Sequence, residues 1–261
     1  MSSALNLAGF YGKVPTLGDF VSRRLQTSFV RTWDAWLQSS LLASTEQLGR
    51  NWLDVYLTSP IWRFVLSPGN CGDNAWAGIM MPSVDRVGRY FPLTLAAQSK
   101  KPEALPCLFV TAAGWFDELE RLALSALQDN FNLDEFDQKL QASPLLQPTA
   151  EIYRGGSIDV GGNGRISCHI EMESLEDMPK AYMQLSAGII TKFWPIYSLW
   201  SSTGSERVKP SFWAYDGLPP IEVYAELLSG RGQQGGWSDG TLDVPLTGSG
   251  SNDLEGECDE P

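Results

Sequence analysis

The sequence predicts an α+β fold, an antiparallel or mixed β-sheet flanked by helices in a single compact domain. Residues 61–66, 76–81 and 90–97 (IWRFVL, WAGIMM, YFPLTLAA) are apolar runs of strand length. Their connections are too short to hold crossover helices, so antiparallel neighbours are the default. Residues 29–48 and 111–128 instead repeat apolar side chains at three- and four-residue steps, the spacing of an amphipathic helix. No regular βαβ alternation runs through the chain, which argues against a doubly wound sheet.

The chain opens with an expected strand at 10–13, then a loop at 14–19 in which proline and glycine interrupt regular structure. Phe29, Trp33, Trp36, Leu37, Leu41 and Leu48 mark the buried face of the first helix, and residues 51–57 are read as its prolongation. Pro60 resets the backbone before the strand at 61–66. A turn at 68–74 (PGNCGDN) leads into the paired runs at 76–81 and 90–97, which completes a three-stranded meander. The helix at 111–128 carries its stripe on Trp115, Leu119, Leu122, Ala123, Ala126 and Leu127. A shorter helix is expected at 133–141, where Asn132 followed three residues on by Glu135 has the form of an N-terminal capping pair. Glycines at 155, 156, 161, 162 and 164 place two short strands and a tight GGNG turn within 152–170. Residues 178–193 read as helix, 196–201 and 211–214 as strands, and 219–228 as a closing helix.

Residues 1–228 are expected to form the domain, and residues 229–261 a flexible acidic tail. The net charge is −12, and half of it lies in that tail, where one Arg accompanies seven acids. Eight glycines and few large apolar side chains leave the tail too little to bury against its ordering entropy; Trp237 and residues 242–246 are its candidate docking points. A sequence pI near 4.5 argues against nucleic acid as a partner, because phosphate binding needs clustered basic charge. Cys71, Cys107, Cys168 and Cys258 stand far apart without CxxC spacing, so neither a zinc site nor a disulfide framework is expected. The first ten residues lack the basic start and apolar centre of a secretory signal. Lys192 and Pro195 interrupt the longest apolar stretch, 187–200, so no membrane insertion is expected and the cytoplasm is the expected location.

Chemistry has few footholds. The single histidine, His169, neighbours Cys168 in a candidate strand, where adjacent side chains point to opposite faces, so the two make a poor nucleophile–base pair. Gly12 and Lys13 lack the preceding GxxxxG and the following Ser or Thr of a phosphate loop. Asp19, Asp73 and Asp85 are the carboxylates that a hydrolytic cleft, with or without a metal, would have to gather; neither 72–74 nor 83–86 has the alternating acids of a calcium loop. No cofactor is expected.

The charged residues Lys13, Asp19, Arg23, Arg24, Arg63, Asp85, Arg86 and Arg89 sit instead at loop ends beside buried strands. Arginine can bridge carbonyls and a carboxylate at once, and an unpaired buried charge is costly, so fixed ion pairs are expected. The pairs expected first are Asp85 with Arg89, and Asp19 with Arg23 or Arg24. The same loops, with Lys13, Arg23, Arg24, Arg86 and Arg89, are the candidate surface for a protein partner, since arginine and aromatic side chains dominate interface hot spots. Trp33, Trp36, Trp52, Trp62 and Trp76 are assigned to the core rather than to that surface.

Three of these segments, GFYGKVPTLGDFVSRRL (9–25), SPIWRFVLS (59–67) and PSVDRVGRYFPLTL (82–95), together resemble the TagF (ImpM) family of bacterial type VI secretion accessory proteins. SLWSSTGSE (198–206) and YDGLPP (215–220) give a weaker C-terminal echo. The resemblance implies a sheet flanked by helices and a cytoplasmic, non-enzymatic, post-translational negative regulator of type VI secretion. Its implied partner is a forkhead-associated (FHA) domain scaffold protein. Some relatives carry a fused phosphatase domain; the space after Leu228 is too short for one, so any phosphatase is expected on a separate polypeptide. The competing classes are a small hydrolase with a carboxylate-lined cleft and a structural accessory subunit of the secretion apparatus.

Overall fold

A computed structural model describes residues 7–147, 157–160 and 166–230, which lie within one compact unit. The expected turn at 161–164 and the tail beyond Gly230 fall outside the described residues.

Strands β1 (Gly9–Gly12), β2 (Val21–Arg23), β3 (Trp62–Leu66), β4 (Ala75–Met81), β5 (Leu93–Ser99), β8 (Tyr197–Ser202) and β9 (Ser211–Asp216) form a seven-stranded sheet in the order β2-β1-β5-β4-β3-β8-β9. Between β5 and β8 the chain forms a separate two-stranded ribbon, β6 (Ser157–Val160) with β7 (Ile166–His169). Every pairing in both sheets is antiparallel, which settles the antiparallel-or-mixed expectation and gives an α+β fold. The helices are α1 (Thr27–Leu48), α2 (Trp52–Leu57), α3 (Leu108–Thr111), α4 (Ala113–Ser125), α5 (Leu133–Ala142), α6 (Met178–Phe193) and α7 (Tyr224–Ser229).

The central strands are buried on both faces, which is why they read as continuous apolar runs. Trp62, Phe64 and Leu66 of β3, with Trp76 and Met80 of β4, face a core shared with Phe29, Trp33, Trp36 and Leu37 of α1. Val65, Ile79, Leu93 and Leu95 face the other way, toward Trp115, Phe116, Leu119 and Leu122 of α4 and Phe136 and Leu140 of α5. Gly78 lets the first core close. A Cβ there would lie 2.3 Å from the Leu95 carbonyl oxygen and 2.8 Å from the Phe64 ring.

Four of the five tryptophans assigned to the core are buried, and Trp52 is half-buried. Three of the buried indole N–H groups find partners within the protein, as buried donors favour. Trp33 donates to the Thr94 hydroxyl at 2.9 Å, Trp36 to the Pro219 carbonyl at 2.8 Å and Trp62 to the Leu227 carbonyl at 3.0 Å. These bonds tie α1 and α7 to the sheet.

Several features depart from expectation. The strand expected at 90–97 runs from Leu93 to Ser99, because residues 85–89 are held in the Asp85 turn, and the closing helix expected at 219–228 is a 3-10 turn at Ile221–Val223 followed by α7. Residues 51–57 do not extend α1: Gly49 takes φ 52°, a 3-10 turn follows, and α2 starts afresh at Trp52. The expected helix at 111–128 is divided at Ala112 into α3 and α4, and ends at Ser125. Strand β2 has no counterpart in the sequence reading, because two of its three residues are exposed and polar and only pairing with β1 makes it a strand. The cap of α5 is as expected: the Asn132 side chain accepts from the Asp134 and Glu135 amides at 2.9 and 3.0 Å.

Candidate functional site: two loops fused through Asp85

β1 ends at Gly12, whose φ of 142° and close approach to Pro92 admit no side chain; a Cβ would lie 2.1 Å from the Pro92 carbonyl oxygen. That contact presses the loop at 13–20 against the loop at 82–92. Lys13 then points inward, with only 5% of its surface exposed, and its ammonium lies 2.9 Å from Asp85 Oδ2. The Lys13 ammonium also sits 5.0 Å from the centre of the Phe20 ring.

Asp85 organises its own loop. Its Oδ1 accepts from the Val87 and Arg89 amides at 3.0 and 2.9 Å, and its Oδ2 accepts from Arg89 Nε at 2.7 Å as well as from Lys13. Gly88, at φ 85°, completes the turn by donating to the Asp85 carbonyl at 3.0 Å. Burial alone would raise the Asp85 pKa, but the hydrogen bonds from Arg89, Lys13 and Val87 outweigh it and hold the carboxyl well below the usual carboxylate range. Such a carboxylate is already saturated with donors and is a poor general base.

The second loop is stitched to the first at several points. The Arg86 amide donates to the Leu17 carbonyl at 2.9 Å, and Arg89 Nη2 donates to the Gly18 carbonyl. The Ser83 hydroxyl donates to the Lys13 carbonyl at 2.7 Å. Beneath them, Tyr56 donates to the Ser83 carbonyl and accepts from the Ser83 amide, at 2.9 and 3.0 Å.

An aromatic trio roofs the ion pair. Phe20 stacks on Tyr11 with ring centres 5.4 Å apart and meets Phe91 edge-on at 4.8 Å. The Tyr11 hydroxyl donates to Asp34 Oδ1 at 2.6 Å. Burial, then the hydrogen bond and charge of Asp34, push the Tyr11 pKa far up, so it stays a neutral donor. Outward from this base project Phe20, Arg86, Val87 and Arg89, with Phe20 45% and Val87 65% exposed.

The eight sequence-predicted residues thus separate into three groups. Lys13, Asp19, Asp85, Arg86 and Arg89 come together at the fused loops. The Asp85–Arg89 pair is present as expected, whereas Asp19 does not pair with Arg23 or Arg24; fully exposed, it faces Arg89 at 3.9 Å. Lys13, expected on the exposed patch, is instead buried and orders the loop.

Arg23 and Arg24 turn to α5. Arg23 reaches Asp134 at 3.1 Å and Asp137 at 3.4 Å, while Arg24 pairs with Asp137 and donates to the Ala8 carbonyl at 2.9 Å. Arg24 holds a left-handed backbone at φ 62°, an uncommon state for a residue with a side chain. Arg63 forms the third group, binding Glu120 at 2.6 Å and Asp117 at 2.7 Å beside the Phe116 ring. Burial opposes its charge, but the two carboxylates more than compensate and raise its pKa. Sequence reasoning missed Tyr11, Phe20, Asp34 and Phe91, and the acids that answer the arginines. Asp134 with Asp137, and Asp117 with Glu120, recur at i, i+3 on helix faces, which was the available signal.

The other reactive candidates lie elsewhere. Cys168 and His169 are consecutive, exposed residues of β7. Cys71 is buried and its thiol is pushed up to about 12 by that burial, so it is protonated at neutral pH. Among the described residues, no group of three or more His, Cys, Asp or Glu is placed to hold a metal ion, and no helix is long and apolar enough to cross a membrane.

Comparison with known proteins bears on the same segments. A family profile described as the TagF N-terminal domain, type VI secretion system-associated, matches residues 9–143, a span that contains the fused loops and all three charged groups. Comparison with curated proteins gave no match. Among solved structures, that of PA0076 from Pseudomonas aeruginosa PAO1 is similar, with 38% sequence identity and a TM-score of 0.68; the match covers 87% of this chain and 96% of that one. The chain therefore belongs to the TagF N-terminal domain family associated with type VI secretion systems.

Proposed function

We propose that this protein is a non-enzymatic, post-translational negative regulator of type VI secretion, acting in the cytoplasm by binding an FHA-domain scaffold protein of the secretion system. The observation that carries the reading is the contrast between the two layers of the fused loops. Their charged base, Lys13 and Asp85, is buried and fully engaged, while Phe20, Arg86, Val87 and Arg89 are presented outward on backbone that the base holds fixed. Arginine and apolar side chains on pre-ordered backbone suit a docking surface, because little ordering entropy is left to lose on binding.

A hydrolytic reading has less support. Asp85 lies under Phe20 with four donors upon it, and Asp19 is exposed to solvent; neither is poised to activate water. The test is affinity capture from cells expressing the secretion cluster, with wild-type protein and with Arg86→Glu as baits. Wild type is expected to capture the FHA scaffold and the variant to lose it. Capture of assembled sheath or baseplate in place of the scaffold would instead make the chain a structural subunit, and turnover of a small molecule by the purified protein would make it an enzyme.

A further inference from the structure

Helix α6 is apolar on two sides, and among the described residues only one of them is packed. Ala187 is buried, Met183 packs with Cys107, and Ile190 packs against the core to which α4 contributes. A second stripe remains in water: Tyr182 is 64% exposed, with Met178, Ile189 and Phe193 also exposed and Leu185 partly so, and Leu175, just before the helix, is 80% exposed. At 3.6 residues per turn, Met178, Tyr182, Leu185, Ile189 and Phe193 fall within an arc of about 80°. Residues 181–191 carry no charged side chain at all.

The order of the exposed residues on the helix is the informative part. Read from either end toward the point between Leu185 and Ser186, the positions are the same: Met178 mirrors Phe193, and Tyr182 mirrors Ile189. An antiparallel copy of this helix, related by a twofold axis through that point, sets these four residues against their mirror positions. That is the self-complementarity an isologous interface requires. The arrangement also brings acidic residues before the helix, Glu173 and Glu176, toward the Lys192 end of the other copy, and opposes the two helix dipoles.

From this we infer that the outer face of α6 is a homodimer interface, formed by antiparallel packing of α6 on a second copy of the chain. The exposed aromatic and aliphatic side chains amount to several hundred Å² per copy, on the order of 1,000 Å² for the pair. That is the size of a reversible, concentration-dependent dimer. The general negative charge of the chain opposes association, so the dimer strengthens with added salt.

The test is the mass of the full chain by sedimentation, from low to high micromolar concentration, with charged substitutions at one mirrored pair. Wild type is expected to pass from one to two copies as concentration rises. Tyr182→Lys and Ile189→Asp, each alone, should stay at one copy, with melting temperatures unchanged because both sites are exposed. An equimolar mixture of the two should regain two copies, since the introduced lysine of one chain then faces the introduced aspartate of the other. Wild type that remains a single copy throughout overturns the inference. So does a dimer that survives both substitutions, or single variants that abolish capture of the FHA scaffold while wild type alone is monomeric; that last result gives the face to the scaffold.

Discussion

Lys13 and Asp85 face each other across 2.9 Å, both nearly closed to water, under the ring of Phe20. This pair joins the two loops that carry the outward-facing arginines. A buried ion pair contributes little relative to a well-packed apolar pair, but losing one partner leaves the other charge stranded.

Asp85→Asn should therefore lower the melting temperature at neutral pH, by about 5 °C or more for a chain of this size. The pH dependence has a defined sign. Because the folded Asp85 pKa lies below the unfolded value near 3.9, the stability it contributes is complete above that value and is lost as pH falls toward the folded pKa. Thermal melts of wild type and Asp85→Asn should thus keep their full difference from neutrality down to about pH 5 and begin to draw together only as pH falls below about 4 toward the folded pKa.

Gly12→Ala is expected to be among the most damaging single changes in the chain. Its Cβ has backbone on the far side of the clash, and the strand pairing of β1 with β5 prevents retreat. A loss above about 3 kcal/mol is expected in denaturant titration. Gly88→Ala has the same handedness problem but open space around it, and should cost only about 1 kcal/mol.

Asn132→Ala should remove the side-chain acceptor from the first turn of α5 and cost about 1 kcal/mol. Since α5 also supplies Asp134 and Asp137 to Arg23 and Arg24, amide hydrogen exchange should quicken along β2 as well as in α5. Faster exchange confined to α5 would show that the arginine clamp holds without the cap.

The legible parts of the fold were those whose signal is local. Strands β3, β4 and β5 were readable because burial on both faces leaves unbroken apolar runs, and α5 because its cap is written within four residues. β2 was not, since VSR has no pattern of its own and is made a strand by Phe10, Tyr11 and Gly12 opposite. The site divides the same way. Asp85 and Arg89 share one turn and could be paired on sight, whereas Lys13 meets Asp85 only because β1 pairs with β5, placing Tyr11 beside Thr94. Proximity in sequence pairs Asp19 with Arg23 or Arg24, but those arginines face α5, and the cation that Asp19 faces comes from the other loop. Charged residues at loop ends announce ion pairs; the sheet order decides which ones form.

The docking role of the fused loops is tested most directly by the affinity of the purified protein for the FHA-domain scaffold, with wild type compared against Arg86→Glu. Arg86 is the apt position because its side chain is exposed and its backbone amide, which the substitution retains, makes the contact to Leu17. The expected result is an unchanged melting temperature with binding weakened at least about tenfold, the scale of a lost charge contact in an interface. Equal affinity of the two proteins at equal stability would contradict it and move the docking surface away from these loops.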